Sequence, residues 1–186
     1  MFIDIIWYSA QEKFNLKEDW ADAMWKRFVS TIPQVKEFVT LDGMLCPDFV
    51  FEKKNDDWNY VVMNGDYLTD FYTDPIVLLT RNIDLAKYNL IACIKEPLDD
   101  DRSILESDYE FIGYDLMDKD LSNSALTNCG GFYDVYSPSD INEYGILSDR
   151  DFAYKIRDEL FKKHPEEHHA NCFVFEIWRM KVAIVN

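Results

Sequence analysis

The only three histidines of the chain, His164, His168 and His169, fall close together. His164-Pro165-Glu166-Glu167-His168 fits the H-x-x-E-H spacing that holds catalytic zinc when both imidazoles share one face of a continuous helix. Pro165 lies inside the motif and blocks the backbone bond a continuing helix needs. The stretch therefore also reads as a helix exit, with imidazoles bonding backbone or solvent. Cys172 is near enough to join His164, His168 and His169 in a metal set. Cys129-Gly130-Gly131 is a second candidate: a thiolate nucleophile beside exposed glycine N–H groups, with His168 or His169 as base and an Asp to orient it. The same glycines equally serve a tight turn. Glu176 is a third. On a strand it shares a face with Val174, Trp178 and Met180, while Arg179 and Lys181 share the other. Burial there penalises the carboxylate unless an ion pair or hydrogen bond offsets it. No Walker loop, GxGxxG or GxSxG occurs.

Charge is the stronger signal. The 186 residues carry a formal net charge of −16, unevenly spread. Residues 61–149 hold 5 basic and 18 acidic side chains, and Glu96–Asp120 alone holds 2 and 10. Such a field repels nucleic acid and anionic lipid and attracts a basic protein. Asp99, Asp100 and Asp101 repel one another and belong in solvent, or against a cation or basic partner. Glu106, Asp108, Glu110, Asp115, Asp118 and Asp120 extend the acidic surface. Tyr114, with Tyr109, Phe132, Tyr133 and Tyr136 nearby, offers aromatic anchors. The bland alternative is that these acids only keep an aromatic-rich chain soluble.

The elements that would position these groups follow from pattern. Phe2–Tyr8 reads as a strand. Asn15 with Glu18 marks a helix start, and Leu16, Trp20, Met24 and Phe28 form its buried stripe. Gln34–Val39 reads as a short helix. Asp48–Lys54 and Trp58–Met63 read as a hairpin, and Tyr67–Tyr72 is ambiguous. Ile76–Thr80 and Leu90–Ile94 read as buried strands, and Tyr109–Leu116 as an alternating one. Ser148 and Asp151 cap a helix with a Phe152, Ile156, Leu160 stripe, stopped at Pro165. Cys172–Val185, apolar on both faces, reads as a central strand. Strands outnumber helices, and no linker or repeat divides the chain. The expectation is one α+β domain over 1–186, a mostly antiparallel sheet with a few packed helices.

The four cysteines form no CxxC pair, the N-terminus MFIDIIWYSAQEK lacks a basic start, and no apolar run approaches a membrane span. A cytoplasmic protein with reduced thiols and no cofactor is expected. The acidic stretch 96–120 and the blocks SALTNCGGF (124–132) and EEHHANCFVFEIWRM (166–180) give the chain the general character of a bacterial immunity protein. It resembles those of polymorphic-toxin and contact-dependent growth inhibition systems. The resemblance implies tight binding of one cognate toxin domain, nuclease-type, without catalysis. The alternative is a hydrolase using Cys129 with His168 or His169, or a metal held by the histidine cluster. A third reading is an acidic decoy for a DNA-binding protein.

Overall fold

The computed structural model describes residues 5–14, 29–43, 45–48, 61–63, 71–98, 102–127 and 131–181. Within them β1 (Ile6–Glu12), β2 (Val61–Met63), β3 (Phe71–Tyr72), β4 (Tyr88–Lys95), β5 (Tyr109–Asp118) and β6 (Cys172–Met180) form one sheet. Their order is β2-β3-β1-β4-β6-β5, with antiparallel neighbours throughout. The architecture is α+β, as the sequence predicts. The two apolar runs, Leu90–Ile94 and Cys172 onward, occupy interior positions, where a strand is covered on both faces.

Strand alternation divides the core. The larger side gathers Ile91, Cys93, Phe175 and Ile177 under the helix α3 (Arg150–Lys163) and under loop residues such as Phe38, Leu41 and Leu147. The smaller side gathers Tyr8, Ala10, Ala92, Ile94, Tyr109 and Trp178. It is capped by two single-turn helices, α1 (Ile76–Leu79) and α2 (Ser103–Glu106), which contribute Leu78 and Leu105.

Helix α3 begins one residue later than predicted. Asp149, not Ser148, is its cap and accepts a bond from Phe152 N–H at 2.7 Å. Ala153 joins Ile156 and Leu160 in the buried stripe, and Phe152 is only partly covered. The helix closes at Lys163, two residues before Pro165.

Two expectations are overturned. Ile76–Thr80 is not a buried strand: it forms α1 and Thr80, with Ile76 and Leu79 each about half exposed. Asp74 and Pro75 decide this. The Asp74 carboxylate accepts Ile76 N–H at 2.9 Å, and the proline ring holds φ at −64°. Gln34–Val39 is not a helix either. Its backbone N–H groups at Lys36, Glu37 and Val39 bond the carbonyls of Glu143 and Tyr144, so the segment lies along a neighbouring loop. The first strand is displaced, running Ile6–Glu12 rather than Phe2–Tyr8. The predicted helix over 15–28 and all but the two ends of the predicted hairpin lie outside the described residues.

β5 is longer than predicted and carries a bulge between Phe111 and Gly113. Gly113 has φ +147°, and a Cβ there would sit 2.4 Å from the Leu147 carbonyl oxygen. Only glycine suits that backbone. Beyond the bulge, residues 121–127 and 141–147 run along the outer side of β5. Tyr114 exchanges backbone bonds with Leu147, Ala125 N–H bonds the Leu116 carbonyl, and Asp118 N–H bonds the Asn123 carbonyl. The Asn142 amide reaches the Ile112 carbonyl at 2.9 Å.

Candidate functional site

The acidic stretch separates into acids that hold the fold and acids that face solvent. Asp115 and Asp118 are fully buried, which removes both from the predicted docking face. Past the bulge, Asp115 turns toward the main core. There its carboxylate accepts from the Thr40 and Ser124 hydroxyls and from the backbone N–H groups of Leu41 and Leu116. Burial pushes the Asp115 carboxyl up, and these four bonds pull against that rise. Asp42 works beside it, accepting from Ser124 N–H at 3.1 Å and the Thr127 hydroxyl at 2.8 Å. Ser124 and Thr127 of the SALT block thus tie two buried carboxylates to one turn.

Asp118 accepts from Ser122 N–H at 2.9 Å and faces His169 Nδ1 at 3.1 Å. Exposed Asp120 lies 3.0 Å from His168 Nε2. Glu110 bonds Arg179, which also bonds Glu37 at 2.7 Å. Glu96, at φ +49°, accepts Val174 N–H and an Arg157 N–H, each at 2.8 Å. Glu106 and Asp108 differ: both are exposed, and neither carboxylate makes an ion pair among the described residues. The Lys181 ammonium is close by but donates to the backbone carbonyls of Glu106 and Ser107. Asp99, Asp100 and Asp101 lie outside the described residues.

Next to Glu106 the sheet opens into a groove of about 300 Å³, lined by Arg102, Glu106, Phe111, Tyr114, Glu176 and Trp178. The bulge builds it. Strict alternation would put Phe111 and Tyr114 on opposite faces. With one residue inserted, Phe111 pairs with Trp178 and Tyr114 with Glu176, so all four side chains share one face. The rings meet edge to face, Phe111 to Tyr114 at 5.3 Å and Phe111 to Trp178 at 5.4 Å. Below them Glu176 is 3% exposed and doubly bonded to Arg102, at 2.7 Å to Nε and 2.8 Å to Nη2. Trp178 Nε1–H completes its shell at 2.7 Å. This pair fixes the start of α2, and with it Glu106, against the sheet. Phe111 remains 42% exposed, and Ile104 on α2 is 71% exposed.

The groove thus presents fixed aromatic faces, one free carboxylate wall and a neutralised ion pair. That set suits recognition of a cationic side chain and includes no thiol or imidazole. Of the predicted anchors, Tyr114 reaches the groove. Tyr109, Phe132 and Tyr136 are buried, and the Tyr136 hydroxyl bonds the carbonyls of Ala125 and Leu126. Tyr133 is exposed and bonds the Thr31 hydroxyl at 3.0 Å. Phe111 and Arg102 were not singled out by sequence. A glycine inside an alternating strand was the available signal for the bulge.

The histidines part company. His164 caps α3 and bonds Asp134 at 2.9 Å, while His168 and His169 turn to Asp120 and Asp118. Among the described residues no group of three or more His, Cys, Asp or Glu converges to hold a metal. Cys46, Cys93 and Cys172 are free and buried, and burial pushes the Cys172 thiol up to about 12. Cys129 lies outside the described residues. No helix among them is long and apolar enough to cross a membrane.

Fold and groove together define an α+β domain with an aromatic, acid-flanked groove on one sheet face. No protein-family model matches the chain, and comparison with curated proteins and with solved structures gives no match.

Proposed function

We propose that the protein binds and neutralises a basic protein partner, in the manner of an immunity protein that blocks a cognate toxin domain of the nuclease type. One observation carries this: exposed aromatic surface and unpaired carboxylates stand side by side on the β5–α2 face. Aromatic residues anchor interface centres, and flanking charge steers the encounter. In sequence the triplet Asp99–Asp101 stands one residue before α2 and belongs to the same acidic stretch. Nucleases present basic surfaces to phosphate, the surfaces such a field would engage. The three cysteines among the described residues are free thiols, which suits action in the reducing cytoplasm.

The test begins with affinity capture of the partner and measurement of its complex at low and high salt. Charge reversal at Glu106 and Asp108 (E106K/D108K) should slow association about tenfold at low salt. The loss should shrink as salt rises. Co-expression of the chain should protect cells from the captured partner when that partner is toxic. A complex indifferent to both salt and charge reversal would sink the proposal.

A further inference from the structure

We infer that the groove between β5 and α2 receives a single arginine side chain of the basic partner. Its guanidinium lies against the Phe111, Tyr114 and Trp178 rings, with the Glu106 carboxylate as counter-charge. This rests on the reading of the chain as a binder of a basic protein.

Three observations lead there. The first is rigidity. Trp178 is held through its indole N–H by Glu176, and Phe111 is wedged edge to face between Trp178 and Tyr114. Ring faces held in this way attract cations through their quadrupole without first having to be ordered. The second is size. A groove of about 300 Å³ falls at the small end of ligand pockets and suits one side chain.

The third observation is charge. Arg102 in the wall is already committed to both Glu176 oxygens, so the pair leaves little net field. Glu106 and Asp108 remain uncompensated, apart from Lys181 held at the Glu106 and Ser107 carbonyls. A carboxylate entering here meets the unpaired Glu106. An apolar side chain strips water from Glu106 and returns no partner. A cation answers both the ring faces and the Glu106 carboxylate. Arginine fits better than lysine because its planar, weakly hydrated guanidinium stacks on rings while its donors still reach a carboxylate.

The probe is N-acetyl-L-arginine amide, titrated into the full ¹⁵N-labelled chain. The five tryptophan indole N–H signals and the Gly113 amide are followed by NMR. The Trp178 indole and Gly113 amide should shift saturably, with the lysine analogue weaker and the leucine and aspartate analogues inert. Glu106→Gln, on the surface, should weaken arginine binding about three- to tenfold. Phe111→Leu should weaken it similarly, and unchanged urea midpoints in both variants would show the fold intact. An unmoved Trp178 signal overturns the assignment. So does a leucine amide that shifts it as strongly, or a Glu106→Gln variant that binds arginine amide as tightly. If E106K/D108K weakens the captured complex while arginine amide leaves Trp178 unmoved, the groove assignment fails and the partner reading stands. If arginine amide fills the groove and the complex ignores charge reversal, the arginine site is upheld and the charge-steered partner reading falls.

Discussion

Removing Arg102 should do more damage than any loss of surface charge. Arg102 and Glu176 are both nearly inaccessible, with side chains 9% and 4% exposed, and they are joined by two short bonds. Arg102→Met leaves a buried carboxylate whose one remaining donor is the Trp178 indole. Breaking a buried pair from one side costs about 3–5 kcal/mol. With a urea slope of about 2 kcal/mol/M, that moves the unfolding midpoint down by roughly 2 M.

Replacing both partners with apolar residues (R102M/E176M) should recover most of the loss, because no charge is then stranded. The orphaned Trp178 N–H should keep a residual cost of about 1–3 kcal/mol. Urea titrations of wild type, both single variants and the double variant at pH 7 complete the cycle. An R102M cost below about 1 kcal/mol at pH 7 would show that the pair does not hold α2 to the sheet and that a stranded carboxylate is tolerated at this depth.

Two further outcomes follow from the same geometry. Gly113→Ala puts a Cβ against the Leu147 carbonyl at a φ of +147° and should cost more than about 2 kcal/mol in urea unfolding; a neutral result would mean the bulge is not fixed as described. Asp115→Asn turns an amide NH₂ toward a backbone N–H donor and should cost about 1–3 kcal/mol at pH 5. Burial holds the Asp115 carboxyl above its unfolded value of about 3.9, so its stabilisation is complete below that pH and is lost as pH rises through the folded value. The wild-type advantage over D115N should therefore be larger at pH 4 than at pH 7, and a difference that grows with pH would refute this.

The sheet interior was legible because Leu90–Ile94 and Cys172–Phe175 are apolar on consecutive residues, a pattern that suits a strand covered on both sides. Helix α3 was legible from its stripe and its proline stop. Ile76–Thr80 matches a buried strand by composition, but the Asp74-Pro75 turn before it decides the backbone in favour of a helical turn. The acidic stretch was only half legible. Counting carboxylates gives the field, but not which of them point inward. That depended on a single inserted residue in β5, which turns Asp115 into the core and brings Phe111 beside Tyr114. The Arg102–Glu176 pair spans 74 positions and no local spacing announces it, although a lone acid on an apolar face did signal that an ion pair or hydrogen bond must meet it.

Two loop stretches, 121–127 and 141–147, cover the outside of β5. β5 is the last strand of its sheet, the position from which a sheet can be lengthened by an incoming chain. Between Ile112 and Asp118 its outward hydrogen-bonding groups are taken up by Asn123, Ala125, Asn142 and Leu147. Neither a second copy nor a partner can add a strand along that margin without first stripping these stretches away. Recognition at this end of the molecule must therefore proceed through side chains, and the sheet is shielded there from edge-to-edge aggregation.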